Sequence, residues 1–117
     1  MTVIRADWER WRGDLARTPD ITSPAMDLEE LQSLMLRTYG DRDSARGTTA
    51  TVAWLTEELG ELARAVRKGS KEEQLHELSD VLAWLASLAN QIGLALNDAV
   101  ARYADGCPKC HGRPCHC

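Results

Sequence analysis

Apolar and polar positions follow a helical period through most of the chain, most clearly over residues 50–92. Val52, Leu55, Leu59, Leu62 and Val66 recur at 3-4-3-4 spacing, the seam of an amphipathic helix from Ala50 to Arg67. A neighbouring stripe of Trp54, Glu58, Glu61 and Ala65 keeps the same period. A second helix opens at Ser70 and runs to Ile92. It carries Leu75, Leu78, Leu82, Leu85, Ala89 and Ile92 on one seam, and Glu77, Val81, Trp84 and Leu88 on the next, with Asp80 beside them. From Val81 to Ile92 this helix is apolar nearly all round, which predicts burial. The two leucine-rich seams are therefore expected to face the core, with the acids flanking or interrupting that surface.

Stop and start signals divide the rest. Asp27 followed by Glu30 forms a capping box, and Leu28, Leu31, Leu34 and Met35 give the helix that follows an apolar face. Tyr39-Gly40 is expected to end it, leaving residues 41–47 as a charged loop. Thr48 or Thr49 is the predicted cap of the next helix. Gly69 is its stop, and Ser70 with Glu73 is a second capping box. Gly93 ends the long apolar helix, and Asn97 or Asp98 is predicted to cap a short one through Ala99, Arg102 and Tyr103. Residues 1–17 predict a short amphipathic helix with Val3, Ile4, Trp8, Trp11 and Leu15 on one side, then a Pro-bounded linker. The fold class is all-α, a bundle of about four to five helices. The expected division is an extension and linker at 1–25, a helical domain at 26–105 and a cysteine-rich tail at 106–117. Three short neighbours cannot cover Val81–Ile92 on all its apolar faces, so a homodimer or a dimer of dimers is expected.

The acids carry the candidate chemistry. Glu58 and Glu61 stand one turn apart on the first helix, and Glu77 and Asp80 one turn apart on the second; residues three apart on a helix project side by side. Two such pairs on facing helices would make a four-carboxylate cluster. Two unit charges about 5 Å apart repel by roughly 3 kcal/mol at an effective dielectric of about 20. Such a cluster holds only if protons or cations neutralise it, or if it faces water. Mg²⁺, a hard cation that takes carboxylate oxygen and leaves positions for phosphate, suits the set, with Mn²⁺ as an alternative. The plainer reading is a pair of Glu-rich solvated helices whose first-turn acids complement the macrodipole.

Glu57-Glu58-Leu59-Gly60-Glu61, a gap of fifteen residues, then Glu77-Leu78-Ser79-Asp80 resembles the E-E-x-x-E … E-x-x-D signature of the MazG-like nucleotide pyrophosphohydrolases. Arg37-Thr38-Tyr39-Gly40, Trp54-Leu55, the Arg67-Lys68-Gly69 turn and the Cys-Pro-x-Cys tail resemble its short single-domain branch, so the resemblance extends over about residues 26–117. It implies an all-α, Mg²⁺-dependent enzyme that splits nucleoside or deoxynucleoside triphosphates into monophosphate and pyrophosphate, in the role of nucleotide-pool house-cleaning. It implies Glu58, Glu61, Glu77 and Asp80 as metal ligands and Glu57 as a residue that orients or deprotonates water. Wider relatives carry an A-N-x-K-[FY]-like run that helps bind phosphate. Here Ala99-Val100-Ala101-Arg102-Tyr103 stands in its place, with Arg102 as the substitute cation and the Asn missing. Arg42, Arg46 and Lys71 are further candidates for phosphate. Local ion pairs and helix-end charge are the plainer roles for all three. Two rival functions stay open: a non-catalytic helical interaction module whose tail binds zinc, and a phosphohydrolase of another modified nucleotide.

Composition narrows the setting. The chain has 117 residues, 44% of them apolar, enough for one modest core, and a formal charge of −4. That balance argues against a nucleic-acid partner, which usually meets a basic field. The start, Met1 to Leu15, is charged and has no apolar h-region. The stretch around Val81–Leu96 is broken by Asn90 and Gln91 and is short for a membrane span. All four cysteines, Cys107, Cys110, Cys115 and Cys117, fall in the last eleven residues, alongside His111 and His116. A disulfide framework would be spread through a small secreted fold, so a cytoplasmic protein is expected. C-P-x-C is a familiar zinc knuckle. A structural Zn²⁺, a redox or disulfide pair, and an untethered tail are the three readings of this segment.

Overall fold

The computed structural model describes residues 26–117. The helix and linker expected within residues 1–25 lie outside the described residues. Four helices follow in order: α1 (Leu28–Arg46), α2 (Thr48–Lys68), α3 (Lys71–Ile92) and the short α4 (Leu96–Ala101). Among the described residues there is no strand, so the all-α class holds. None of the helices is long and apolar enough to cross a membrane.

Both capping boxes form in part as read. Asp27 accepts from the Glu30 amide at 2.8 Å, and Ser70 accepts from the Glu73 amide at 3.2 Å. Gly93 closes α3 at φ 71°, a left-handed backbone that a β-carbon disfavours. Three local expectations are corrected. The helix beginning at Leu28 does not stop at Tyr39-Gly40 but runs to Arg46. Tertiary bonds offset the roughly 1 kcal/mol that an interior glycine costs. Arg46 pairs with Asp43 at 2.8 Å, and Gln91 of α3 donates to the Asp43 carbonyl at 2.6 Å, so the would-be loop is clamped as helix. Neither Thr48 nor Thr49 caps α2; its N-cap is Gly47, with no side-chain bond. Neither Asn97 nor Asp98 caps α4. Its N-cap is Ala95, and Asn97 instead donates to Glu29 at 3.4 Å.

α2 and α3 form a tight αα-hairpin, α1 lies against α3 with lesser contact to α2, and α4 returns against α1. Gln32 is the pivot of that return. Its side chain donates to the Leu94 carbonyl (2.7 Å) and accepts from the Leu96 amide (2.8 Å), while Asn90 donates to its backbone carbonyl (3.0 Å).

The face that α2 turns inward differs from the expected one. Thr51, Leu55, Glu58, Leu62 and Ala65 are buried or half-buried, whereas Val52, Leu59 and Val66 are exposed. The shift is one residue, and one residue turns a helix by about 100°. On α3 likewise, Leu75, Leu78, Leu82, Leu85 and Ile92 are exposed, while Gln74, Glu77, Asp80, Trp84 and Ser87 face neighbours. The buried apolar residues are the small Ala65, Ala86 and Ala89, joined by Thr51, Ser87 and Asp43. Small side chains bring the backbones close; the acids then lie within the α2–α3 seam rather than beside it.

Candidate functional site

Glu58 enters the seam from α2, and Glu77 and Asp80 enter it from α3. One carboxylate oxygen from each lies within 4.8 Å of the others. Oε2 of Glu58 and Oε2 of Glu77 are buried with no hydrogen-bond donor in reach. Glu61, exposed on the next turn of α2, adds its charge to both, and carboxylates crowded in this way call for a proton or a cation. Burial first, then the charges of Glu61 and Asp80, push the Glu58 carboxyl above its ordinary 4.5. Burial and Glu61 do the same to Glu77, with His76 pulling weakly the other way. His76 Nε2 also stands 3.5 Å from Asp80. A buried carboxylate oxygen without a donor is costly. An all-oxygen, acid-rich set with orphaned oxygens fits a hard divalent cation such as Mg²⁺.

The raised carboxyls fix the sign of a pH effect. A carboxyl whose folded pKa exceeds its unfolded value contributes stability that is fully present below the unfolded pKa, here 4.5, and lost as pH rises through the higher folded value. Metal-free protein is therefore expected to melt at higher temperature as pH falls from neutral toward that window. Mg²⁺ is expected to stabilise most at the alkaline end, where the carboxylates are ionised. Thermal denaturation in EDTA and in Mg²⁺ across that range, set beside the Glu58→Gln, Glu77→Gln double variant, isolates the contribution. Equal slopes in the parent and the double variant would refute it.

The acid seam opens on two sides. On one, a cavity of about 260 Å³ places Asp80 with Tyr39, Arg42, Arg46 and Trp84. On the other, a cleft of about 520 Å³ places Glu61 and Glu77 with Arg64, Lys68 and Glu73. Of the residues singled out for phosphate, Arg42 lines the first cavity and is exposed. Arg46 lines it too but is committed to Asp43, to the Thr51 hydroxyl (3.3 Å) and to the Trp84 ring (4.7 Å). Lys71 lines neither and donates to Gln74 at 3.3 Å. Arg102 lines neither and folds over the Tyr103 ring. Glu57 is exposed and outside the three converging carboxylates. Trp54 and Trp84 stack at 5.9 Å, a packing pair across the hairpin. Arg64 and Lys68 are not among the phosphate candidates named from the sequence, yet both line the cleft. The spacing Glu61, Arg64, Lys68, one face of one helix, is the signal that finds them.

The four cysteines are free thiols gathered in a second cluster that could hold a metal. Amides of His116 and Gly112 bring the Cys110 thiol down to about 6. Amides of Cys110 and Lys109 lower Cys107, and the neighbouring Cys115 thiol raises Cys117.

Residues 46–117 match the family model described as the MazG nucleotide pyrophosphohydrolase domain. The match begins at the last residue of α1 and takes in α2, α3, α4 and the cysteine-rich tail, with Glu57, Glu58, Glu61, Glu77 and Asp80 inside it. No curated protein matches the chain.

Proposed function

The chain belongs to the MazG nucleotide pyrophosphohydrolase family, and from that premise we propose that it hydrolyses the α–β phosphoanhydride of a nucleoside or deoxynucleoside triphosphate, with Mg²⁺, to the monophosphate and pyrophosphate. The observation that carries this reading is the convergence of Glu58, Glu77 and Asp80 within 4.8 Å, two of them with buried, donorless oxygens. Bound there, Mg²⁺ supplies charge neutralisation of the polyphosphate and a lowered pKa for a coordinated water.

The chain's own residues do the rest. Glu58, Glu77 and Asp80 hold the ion from two helices, so the hairpin fixes its position. Glu61, within reach of Glu58 and Glu77 yet open to solvent, joins the set from the cleft side. Glu57, one residue from the seam and in water, takes the proton of the attacking water rather than ligating. Attack at the α-phosphorus breaks its bond to the bridging oxygen, and pyrophosphate leaves with that oxygen. Arg64 and Lys68, beside Glu61 and Glu77 in the cleft, meet the departing phosphates. Tyr39 and Arg42, beside Asp80, serve the nucleoside side.

The active form in this reading is at least a homodimer, since Leu59, Val66, Leu75, Leu78, Leu82 and Leu85 form an exposed apolar face on the outside of the same hairpin. Four free thiols suit the reducing cytoplasm as its location.

The test is product analysis on a panel of ribo- and deoxyribonucleoside triphosphates. Pyrophosphate and monophosphate are expected in equal amounts, with Mg²⁺ and not with EDTA. Release of orthophosphate instead, or turnover that survives Glu61→Gln combined with Asp80→Asn, would remove the proposed reaction.

A further inference from the structure

We propose that Cys107, Cys110, Cys115 and Cys117 form a closed tetrathiolate site for a structural Zn²⁺, separate from the carboxylate site and independent of the reaction proposed there. The four sulfurs lie within 4.8 Å of one another. Cys115 Sγ is 3.2 Å from Cys117, 3.5 Å from Cys107 and 3.8 Å from Cys110, and Cys107 is 3.7 Å from Cys117. Four sulfurs at the usual zinc–sulfur distance of about 2.3 Å, placed tetrahedrally, are separated by about 3.8 Å. The thiols thus converge on one point. A pair of disulfides would bring them together two by two, yet Cys115 stands within 3.8 Å of all three partners.

The backbone is built around that point. His111 takes φ 58°, a left-handed conformation uncommon outside glycine, and Gly106 takes φ 99°. The His111 amide closes a turn on the Cys107 carbonyl at 2.7 Å, and the Cys107 amide reaches the Gly112 carbonyl at 3.2 Å. A β-carbon at Gly112 would lie 2.6 Å from the Pro114 carbonyl oxygen and from His116 Nδ1. The loop joining the two cysteine pairs is therefore as tight as backbone allows. Arg113 donates to the Ala104 carbonyl at 3.0 Å and ties the knuckle to the end of the helical domain.

The donor set selects the ion. Thiolate ligands at tetrahedral spacing take Zn²⁺ and reject Mg²⁺. Four protein ligands leave no open position, so the site is structural. Binding exchanges the remaining thiol protons for one Zn²⁺ and involves no oxidation. A segment this short has no apolar core of its own, and metal binding stands in for one. His111 and His116, though adjacent, are not part of the converging set.

The experiment uses the full chain, purified under reducing conditions without chelator. One zinc per chain by elemental analysis is expected to survive dialysis. Exchange with Co²⁺ is expected to give the intense visible bands of tetrahedral cobalt with thiolate charge transfer. Cys110→Ser with Cys117→Ser is expected to lose both signals, with the far-ultraviolet helical signal kept, while Glu77→Gln keeps the zinc. A zinc-free chain whose titrated free thiols give no cobalt spectrum would overturn the site, as would a double variant that retains stoichiometric metal. Should the double variant lose its helices, the cobalt spectrum of the unaltered chain decides alone.

Discussion

Replacing Glu58 by glutamine is expected to lower Mg²⁺-dependent pyrophosphate release about a thousandfold while raising the melting temperature of the metal-free protein. The first effect follows from removing one ligand of the ion. Loss of about 4 kcal/mol of transition-state charge stabilisation corresponds to that factor. The second follows from the seam itself. Glu58 is held near Glu61, Glu77 and Asp80, and burial and their charges favour its uncharged form. Glutamine has the same shape, never ionises, and can donate to the orphaned Glu77 oxygen. A gain of a few degrees in EDTA together with a collapse in turnover would mark carboxylates kept for function at a cost in stability. An unchanged rate, or a lower melting temperature without metal, would sink the assignment.

Leu82→Asp is expected to break the assembly and to unfold the protein at concentrations where the parent is intact. A substitution at an exposed position usually changes stability by less than about 0.5 kcal/mol, and Leu82 is exposed within one chain. The expectation is opposite because residues 26–117 by themselves bury too little. Among the described residues the only buried apolar side chains are alanines, while Leu75 is 69% exposed and Val66 63%. A domain of this size cannot be stabilised by so small a core. If a second copy covers the leucine face, each leucine is buried twice in a symmetric pair, and the loss comes to about 3–6 kcal/mol per dimer. Sedimentation analysis of parent, Leu82→Asp and a chain begun at Met26 measures this. A monomeric, stable parent would refute it, and a dimer that survives only with residues 1–25 would assign the cover to that segment.

The helices of the hairpin were legible to within two residues, because caps and stops are local: Ser70, Gly69 and Gly93 do their work within one turn. The end of α1 was not, since Gly40 reads as a stop, while the bonds that clamp residues 41–46 as helix include one from the distant Gln91. The pairing of Glu58 with Glu77 and Asp80 followed from spacing and from family resemblance. That they flank or interrupt the inward surface followed too; which leucines share that surface did not. Leucine periodicity marks a face that leaves water, and says nothing about whether it meets the same chain or another one. The seam was therefore read one residue out of phase, with Val52, Leu59 and Val66 inward where Thr51, Glu58 and Ala65 are. Arg64 and Lys68 were not singled out, because the number of cations near a turn does not say which of them share a face with Glu61.

Every acid of the seam belongs to one αα-hairpin, Thr48–Ile92, whose two rods are linked only by Gly69-Ser70. Contacts so near in sequence cost little chain entropy to close, so the negative charges are gathered within one local unit. A cation that spans the rods then acts as a reversible staple on a single cooperative unit. Its arrival would slow the local opening of that hairpin far more than the fraying of α4, and the protein would breathe along the same line at which, in the proposed reading, it would hold that ion.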